Sequence, residues 1–252
     1  MNLLRSEWTK LRSVRSTWIA ALSAVAAGVA LSVLGASDLL GASASDLPAG
    51  WDPTAESLKG FLFAQLIIGM LGAFSITPEF GTGMIGTSLV FVPSRSRLLA
   101  AKATVVAAAG LVVGLVTTML SFGVVQLMVK GAGLPAAGPG DPGVGRALIS
   151  GTLYLTLVAL LGVAIGALVR SATTSLAVLV GVLLLVPALG PGLPGAVGDW
   201  FGTFWPVTAG QAAYAVVPAD GAVAPGLGLL ILAGAALAAV AAGHVAFRVR
   251  DI

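Results

Sequence analysis

The sequence predicts an all-α integral membrane protein with six transmembrane helices, an amphipathic helix at the N-terminus and both termini in the cytoplasm. Of its 252 residues, 58% are apolar and only 9% are charged, whereas soluble domains carry roughly 25% charged residues. Apolar runs of about 20 residues match a hydrocarbon core of ~30 Å. Six such runs lie near Thr17–Ala36, Leu58–Thr77, Ala103–Val129, Ala147–Val169, Thr174–Leu189 and Pro225–Phe247.

The distribution of cations predicts the orientation of these spans. Lys and Arg near span ends are retained in the cytoplasm. With the six runs in place, only Lys59, Lys130 and Arg146 fall on one side. The other ten of the 13 cations fall on the opposite side, and they are Arg5, Lys10, Arg12, Arg15, Arg95, Arg97, Lys102, Arg170, Arg248 and Arg250. We therefore expect a single transmembrane domain over residues 1–252 with cytoplasmic termini.

Residues 1–16 precede the first span and read as an amphipathic helix on the cytoplasmic membrane surface. At 100° per residue, one face carries Leu3, Leu4, Trp8, Leu11 and Val14, and the opposite face is basic and polar. This pattern is typical of an interfacial helix beside anionic lipid. Glu7 interrupts the apolar arc. A disordered basic leader is the alternative, and a cleaved signal peptide is disfavoured because five further apolar runs follow.

The spans contain almost no charge. Proton and ion pathways normally require Asp, Glu, Arg or His within the membrane. Gln65, Gln126 and Tyr154 are the main polar candidates, and His244 lies near the cytoplasmic end of the last span. The composition therefore disfavours an ion-coupled carrier. The fifth span is short and carries Pro187, so we expect its outer end to be broken or re-entrant.

The sequence predicts no catalytic, metal or nucleotide-binding site of its own. A P-loop requires Gly-Lys-Ser/Thr, whereas the four lysines follow Thr9, Leu58, Ala101 and Val129. Two Gly-x-Gly-x-x-Gly matches, at residues 81–86 and 190–195, also lack the context of a dinucleotide site. No acidic residue follows the first before Asp141, and the second contains two prolines in an exterior loop. One histidine and no cysteine exclude the common nucleophile–base pairs. Because the cations are spread over four segments, we expect no nucleic-acid partner.

The segment over residues 78–102 has the features of a cytoplasmic segment that binds another protein. Pro78 ends the second span, and Glu79 follows it at the start of a short helix, where the helix dipole favours a carboxylate. An apolar stretch from Met84 to Val92 comes next, and Pro93 interrupts it. Arg95, Arg97 and Lys102 then mark re-entry into the membrane. The simpler interpretation is that these three cations only retain the loop in the cytoplasm.

This segment resembles the cytoplasmic coupling region of the type-two ABC exporter permeases. The residues that carry the resemblance are Glu79, Gly83-Met84, Leu89–Val92, Pro93, Arg95 with Arg97, and Lys102. The opening residues 6–18 are similar to the amphipathic elbow helix of actinobacterial members. Relatives commonly carry Arg where this chain has Gly86.

The resemblance implies a permease subunit in the bacterial plasma membrane that exports an amphipathic or lipid-like compound, such as an antibiotic, drug or peptide. It implies two copies of a separate P-loop ATPase as partners, ATP used only through that ATPase, and a second copy of this chain or a homologous permease. The coupling residues it implies are Glu7, Arg12, Glu79, Gly83, Met84, Pro93, Arg95 and Arg97. The alternative is a polytopic membrane protein without transport activity, either an intramembrane enzyme or a sensor anchor.

Overall fold

A computed structural model describes residues 2–84 and 94–249, and this part of the chain contains helices and loops but no β-strand. Its α-helices are α1 (Asn2–Ser13), α2 (Arg15–Gly35), α3 (Pro53–Ser57), α4 (Phe61–Phe74), α5 (Thr77–Gly81), α6 (Arg95–Gly131), α7 (Val144–Val169), α8 (Ala172–Val180), α9 (Val186–Leu189), α10 (Ala196–Phe204), α11 (Pro206–Ala212) and α12 (Pro225–Val249).

Five helical segments of the described chain are long and apolar enough to cross a membrane. They are Arg15–Gly41, Ser96–Gly131, Val144–Val169, Ala172–Gly192 and Pro225–Ala246. These segments coincide with five of the six predicted spans. The prediction of six spans is therefore confirmed only in part.

The predicted second span, Leu58–Thr77, is broken at both ends. Its regular helix α4 has 14 residues, which at 1.5 Å per residue is about 21 Å, short of the ~30 Å core. At its start, the backbone of Gly60 lies against the carbonyl of Gly28, and its N–H donates to Ser32 Oγ at 3.0 Å. At its end, Pro78 opens the separate helix α5. The break at Pro78 agrees with the sequence prediction, whereas counting apolar residues could not reveal the break at Gly60.

Helix α7 is the centre of the bundle and packs against α4, α6 and α12. It is apolar on every side, as expected for a helix enclosed by others, and Leu155, Val158 and Ala159 are fully buried. Glycines allow the backbones of α4 and α7 to touch. A Cβ atom on Gly72 would collide with the carbonyl oxygen of Ala159, and one on Gly162 would collide with that of Gly69.

The fifth predicted span is irregular from its middle onwards. After α8, residues Gly181–Leu185 form a π-helical turn before α9. Pro187 has no N–H to donate to the carbonyl of Leu183. That carbonyl instead accepts a hydrogen bond from Gln65 Nε2 at 3.2 Å. Ala172–Gly192 is nevertheless one continuous helical segment with a π-helical turn in it, so the expectation of a broken or re-entrant outer end is not confirmed. The freed carbonyl is used in a contact with α4.

Contacts between loops identify one end of the bundle. Asp52 caps α3 through the N–H groups of Thr54 and Ala55, and its second oxygen accepts from Val216 N at 2.6 Å and Val217 N at 2.9 Å. Arg146, at the start of α7, donates to the carbonyls of Ala213 and Ala215. These bonds tie the first long loop and the loop after α11 to the same end.

The other end of the bundle, which we call the basic end, carries α1, α5, the start of α6 and Arg170. Lys102 contacts both Glu7 and Glu79 there, and the guanidinium of Arg170 lies 5.0 Å from the centre of the Phe80 ring. The segment α3–α5 therefore runs from one end of the bundle to the other although its regular helix is short.

The α4–α7 contact predicts opposite effects for two helix-interior glycines. Gly162→Ala would place a methyl group against the backbone of α4, and overpacking of this kind costs about 1–3 kcal/mol. Gly123→Ala in α6 meets nothing within 4 Å, and it gains up to about 1 kcal/mol of helix propensity. Thermal unfolding in detergent should show a lower midpoint for Gly162→Ala and an equal or higher midpoint for Gly123→Ala. Equal midpoints for Gly162→Ala and the parent protein would contradict the contact.

Candidate functional site

Four charged side chains form a compact ion cluster at the basic end: Glu7, Lys10, Glu79 and Lys102. The ammonium of Lys102 donates to Glu79 Oε1 at 2.6 Å and to Glu7 Oε2 at 2.7 Å. Its third bond goes to the carbonyl of Ser75 at 3.2 Å. Lys10 donates to Glu7 Oε1 at 2.8 Å and to Glu79 Oε1 at 3.2 Å. The cluster thus joins α1, the end of α4, α5 and α6.

Local sequence places each of these side chains. Pro78 in the first turn of α5 starts a new helix after the break at Ser75, and this brings Glu79 into that turn. Lys102 lies two turns into α6 on the side that faces the bundle, next to the buried Ala101. Glu7 projects from the inner face of α1. The ammonium and the two carboxylates meet because α1, α5 and the first turns of α6 converge here.

Three members of the ion cluster are withdrawn from solvent. Relative exposures are 2% for Lys102, 5% for Glu7 and 9% for Glu79. Buried charges are tolerated when they are paired and hydrogen-bonded, and removing one partner of a buried pair costs about 3–5 kcal/mol. Two carboxylates and two ammonium groups leave the cluster with no net charge. Its composition therefore suits a fixed joint between helices.

Lys10 lies at the edge of the ion cluster and is partly exposed. Burial opposes the charged form of its side chain, but the hydrogen bond to Glu7 and the charges of Glu79 and Glu7 outweigh burial and raise its pKa above the usual 10.5. Raising the pKa of an ammonium stabilises the folded state below pH 10.5, and that contribution is lost as pH rises through the folded-state value. Lys10 therefore remains charged at neutral pH.

The apolar arc predicted for α1 divides into two parts in the structure. Leu3 packs with Leu98, and Leu11 packs against the main core. Leu4 and Trp8 are 45% and 43% exposed. Glu7, which interrupted the arc, is the residue that reaches Lys102. The position of Glu7 within the apolar arc thus indicates a contact with a cation of the same protein, since a carboxylate is rarely buried unless it is paired.

The other predicted coupling residues lie on the surface around the ion cluster. Gly83 is exposed with φ +70°, a conformation that favours glycine. The side chain of Met84 is 54% exposed. Arg12 and Arg97 are exposed, and the carbonyl of Arg12 accepts from the indole N–H of Trp18 at 2.8 Å.

Two predicted residues fall wholly or partly outside the described structure. Pro93 lies outside it, as do Gly86 and the stretch Leu89–Val92. Arg95 is the first residue of α6, and its side chain also lies outside the described part. Their proposed roles in coupling stay predictions.

Sequence reasoning missed the role of Lys102 and Lys10. The sequence marks Lys102 as a cytoplasmic cation and as the start of the third span, but a lysine followed by the apolar run 103–129 also needs a partner if it enters the bundle. It also missed the stacking of Arg170 on Phe80. Arg170 ends α7 in a left-handed conformation (φ 60°), and no local pattern signals that geometry.

Within the bundle, the side chain of Gln65 joins α4 to two other spans through two hydrogen bonds. The hydroxyl of Tyr154 on α7 donates to Gln65 Oε1, and Gln65 Nε2 donates to the carbonyl of Leu183 in the π-helical turn. Gln65 and Tyr154 are fully buried. In residues 2–84 and 94–249, no group of three or more His, Cys, Asp and Glu side chains comes together as a metal site would require.

Comparison with known proteins places this architecture in a family. No curated protein sequence matches the chain. The profile of the family described as ABC-2 family transporter protein matches residues 3–188, which run from the second residue of α1 through the ion cluster into α9. The membrane subunits of this family generally work with an ATPase subunit and generally lack an ATPase motif of their own. The chain therefore belongs to the ABC-2 transporter family, as a multi-pass membrane subunit of the permease type.

Proposed function

We propose that this chain is the permease of an ATP-driven exporter in a bacterial plasma membrane, with both termini and the basic end in the cytoplasm. The exporter contains two permeases, either two copies of this chain or one copy with a homologue, and two copies of the partner ATPase. ATP is bound by the ATPase alone. The cargo is an amphipathic or lipid-like compound, such as an antibiotic, drug or peptide. The excess of Lys and Arg supports the cytoplasmic assignment of the basic end.

The observation that carries this proposal is the ion cluster below an exposed surface. Gly83, Met84, Arg12 and Arg97 offer apolar and basic contacts to an ATPase. In the cleft that Met84 lines, Glu79 and Glu7 share the ammonium of Lys102. A displacement of α5 by the ATPase would therefore move α1 and the start of α6 with it, since breaking the cluster would leave charges buried and unpaired.

A displacement of α5 can be transmitted to the membrane-spanning helices. Helix α5 continues the chain of α4, and α4 touches the backbone of α7 at Gly72 and Gly162. Gln65 on α4 also bonds the freed carbonyl of Leu183 and the hydroxyl of Tyr154. A shift of α4 must therefore rearrange α7 and the irregular span α8–α9. We assign Glu7 and Glu79 a positioning role and the exposed residues the contact with the ATPase.

The exposed surface predicts a variant that loses coupling without losing stability. Met84→Asp places a charge in the proposed apolar contact, so substrate-stimulated ATP hydrolysis by the reconstituted complex should fall at least about tenfold. The matched control is Leu40→Asp, an exposed apolar residue outside the basic end (63% exposed). Both variants should insert into membranes and melt like the parent protein. Full stimulation in Met84→Asp would remove this surface from the ATPase contact.

The ion cluster predicts that charge balance matters for stability. Lys102→Met leaves Glu7 and Glu79 buried without the ammonium and should cost about 3–5 kcal/mol in thermal or denaturant unfolding. Arg97→Met removes an exposed cation and should cost less than about 0.5 kcal/mol.

A triple variant without buried charges separates stability from coupling. Glu7→Gln, Glu79→Gln and Lys102→Met together leave only the partly exposed ammonium of Lys10 in the cluster, so stability should return to near the parent value. Amides hold the three helices less firmly than shared charges do, so substrate-stimulated ATP hydrolysis should stay reduced. A stable and fully coupled triple variant would show that the cluster serves stability alone.

A further inference from the structure

A cleft of about 330 Å³ adjoins the ion cluster at the basic end, between α1, the start of α2, the end of α4, α5 and α6. This volume lies at the lower end of the range of small-molecule sites. Its wall is largely apolar, with side chains that include Leu11, Val14, Phe74, Val105 and Val106. One end of the cleft is formed by the four charged side chains. The cleft thus combines an apolar surface with a polar end.

One carboxylate oxygen in the ion cluster is buried and unsatisfied. Lys102 uses its three N–H groups on Glu7, Glu79 and Ser75. Both carboxylate oxygens of Glu7 accept hydrogen bonds, and Oε1 of Glu79 accepts two. Oε2 of Glu79 has no donor among the described residues, and Glu79 is 9% exposed. A buried carboxylate oxygen without a donor is unfavourable, so a donor in the cleft would stabilise it.

We propose that the cleft binds an amphipathic primary amine, whose ammonium donates to Glu79 Oε2 and whose hydrocarbon part lies on the apolar wall. An ammonium makes the stronger, charge-assisted bond to a carboxylate, and an anionic headgroup would be repelled by the unpaired oxygen. This inference rests on the proposed function, for which it names the class of cargo. The amine is supplied either by the exported compound or by a membrane lipid with a primary ammonium headgroup.

The position of the cleft suits entry from the membrane. Its rim includes Ser13, Val14 and Ser16 at the junction of α1 and α2, and all three are exposed. Because α2 is an apolar span and α1 has an exposed apolar face, this junction lies at the level of the lipid headgroups. An amphipathic molecule in that leaflet would have its ammonium at the height of the ion cluster.

The test measures binding of radiolabelled dodecylamine to the purified full-length permease in phosphatidylcholine nanodiscs without any ATPase. Radiolabelled dodecanol, which has the same chain and no charge, corrects for partition into lipid. Thr17→Phe fills the cleft without altering the ion cluster. Its matched control is Leu22→Phe on the same helix, a residue that is 67% exposed. Glu79→Gln removes the carboxylate and serves as the second variant. Melting curves of all the proteins accompany the binding data.

We expect saturable dodecylamine binding to the parent protein and to Leu22→Phe. Binding should be at least about tenfold weaker in Thr17→Phe and in Glu79→Gln. Equal binding by all four proteins, or equal affinity for dodecanol, would overturn the inference. Adding phosphatidylethanolamine to the nanodiscs identifies the source of the amine. If this lipid weakens dodecylamine binding, the natural ligand is a lipid; if dodecylamine binding is unchanged, the natural ligand is an exported compound. A permease that binds the amine but does not stimulate an ATPase would contradict the proposed function and not this site.

Discussion

A single buried ammonium holds the basic end of this protein together. Lys102 is bonded to carboxylates that lie 95 and 23 positions away in the chain. Helix α5 has only five residues and α1 only 12, and helices this short are not stable alone in water. Their positions depend on contacts with α6, which include the ion pairs of the shared Lys102. If those ion pairs are lost, the surface carrying Gly83 and Met84 is held less firmly to the membrane helices.

The bundle itself is organised so that movement at α5 cannot stay local. Backbone contacts at Gly72 and Gly162 join α4 to the central helix α7, and close-packed interiors transmit displacement because they leave no space to absorb it. The π-helical turn before Pro187 supplies a second connection, since the carbonyl of Leu183, which Pro187 cannot bond, accepts a hydrogen bond from Gln65. A proline that weakens one span thereby links it to α4. The short helix α4 is thus connected to the ion cluster at one end and to the irregular span near its middle.

The sequence predicts the parts of this arrangement that depend on local pattern. Long apolar runs identified five spans, and the position of Glu79 after Pro78 identified the short helix α5. The ion cluster could not be predicted as a unit, because the contact between Glu7 and Lys102 depends on how α1 folds back on α6. One signal was present, since Glu7 interrupts an otherwise apolar arc. The break before α4 was equally hidden, because it depends on the close approach of Gly60 to another helix.

In the mechanism that we propose, α1, α5 and the start of α6 move as one body when the partner ATPase binds nucleotide. Because the chain contains no cysteine, spin labels can be attached at Thr9→Cys and Thr82→Cys, both exposed positions on either side of the ion cluster. Electron–electron double resonance on the reconstituted complex would then measure the distance between the labels without nucleotide and in the vanadate-trapped state. We predict the same distance distribution in both states. A shift of its main peak in the trapped state would mean that the helices separate, and it would contradict this account.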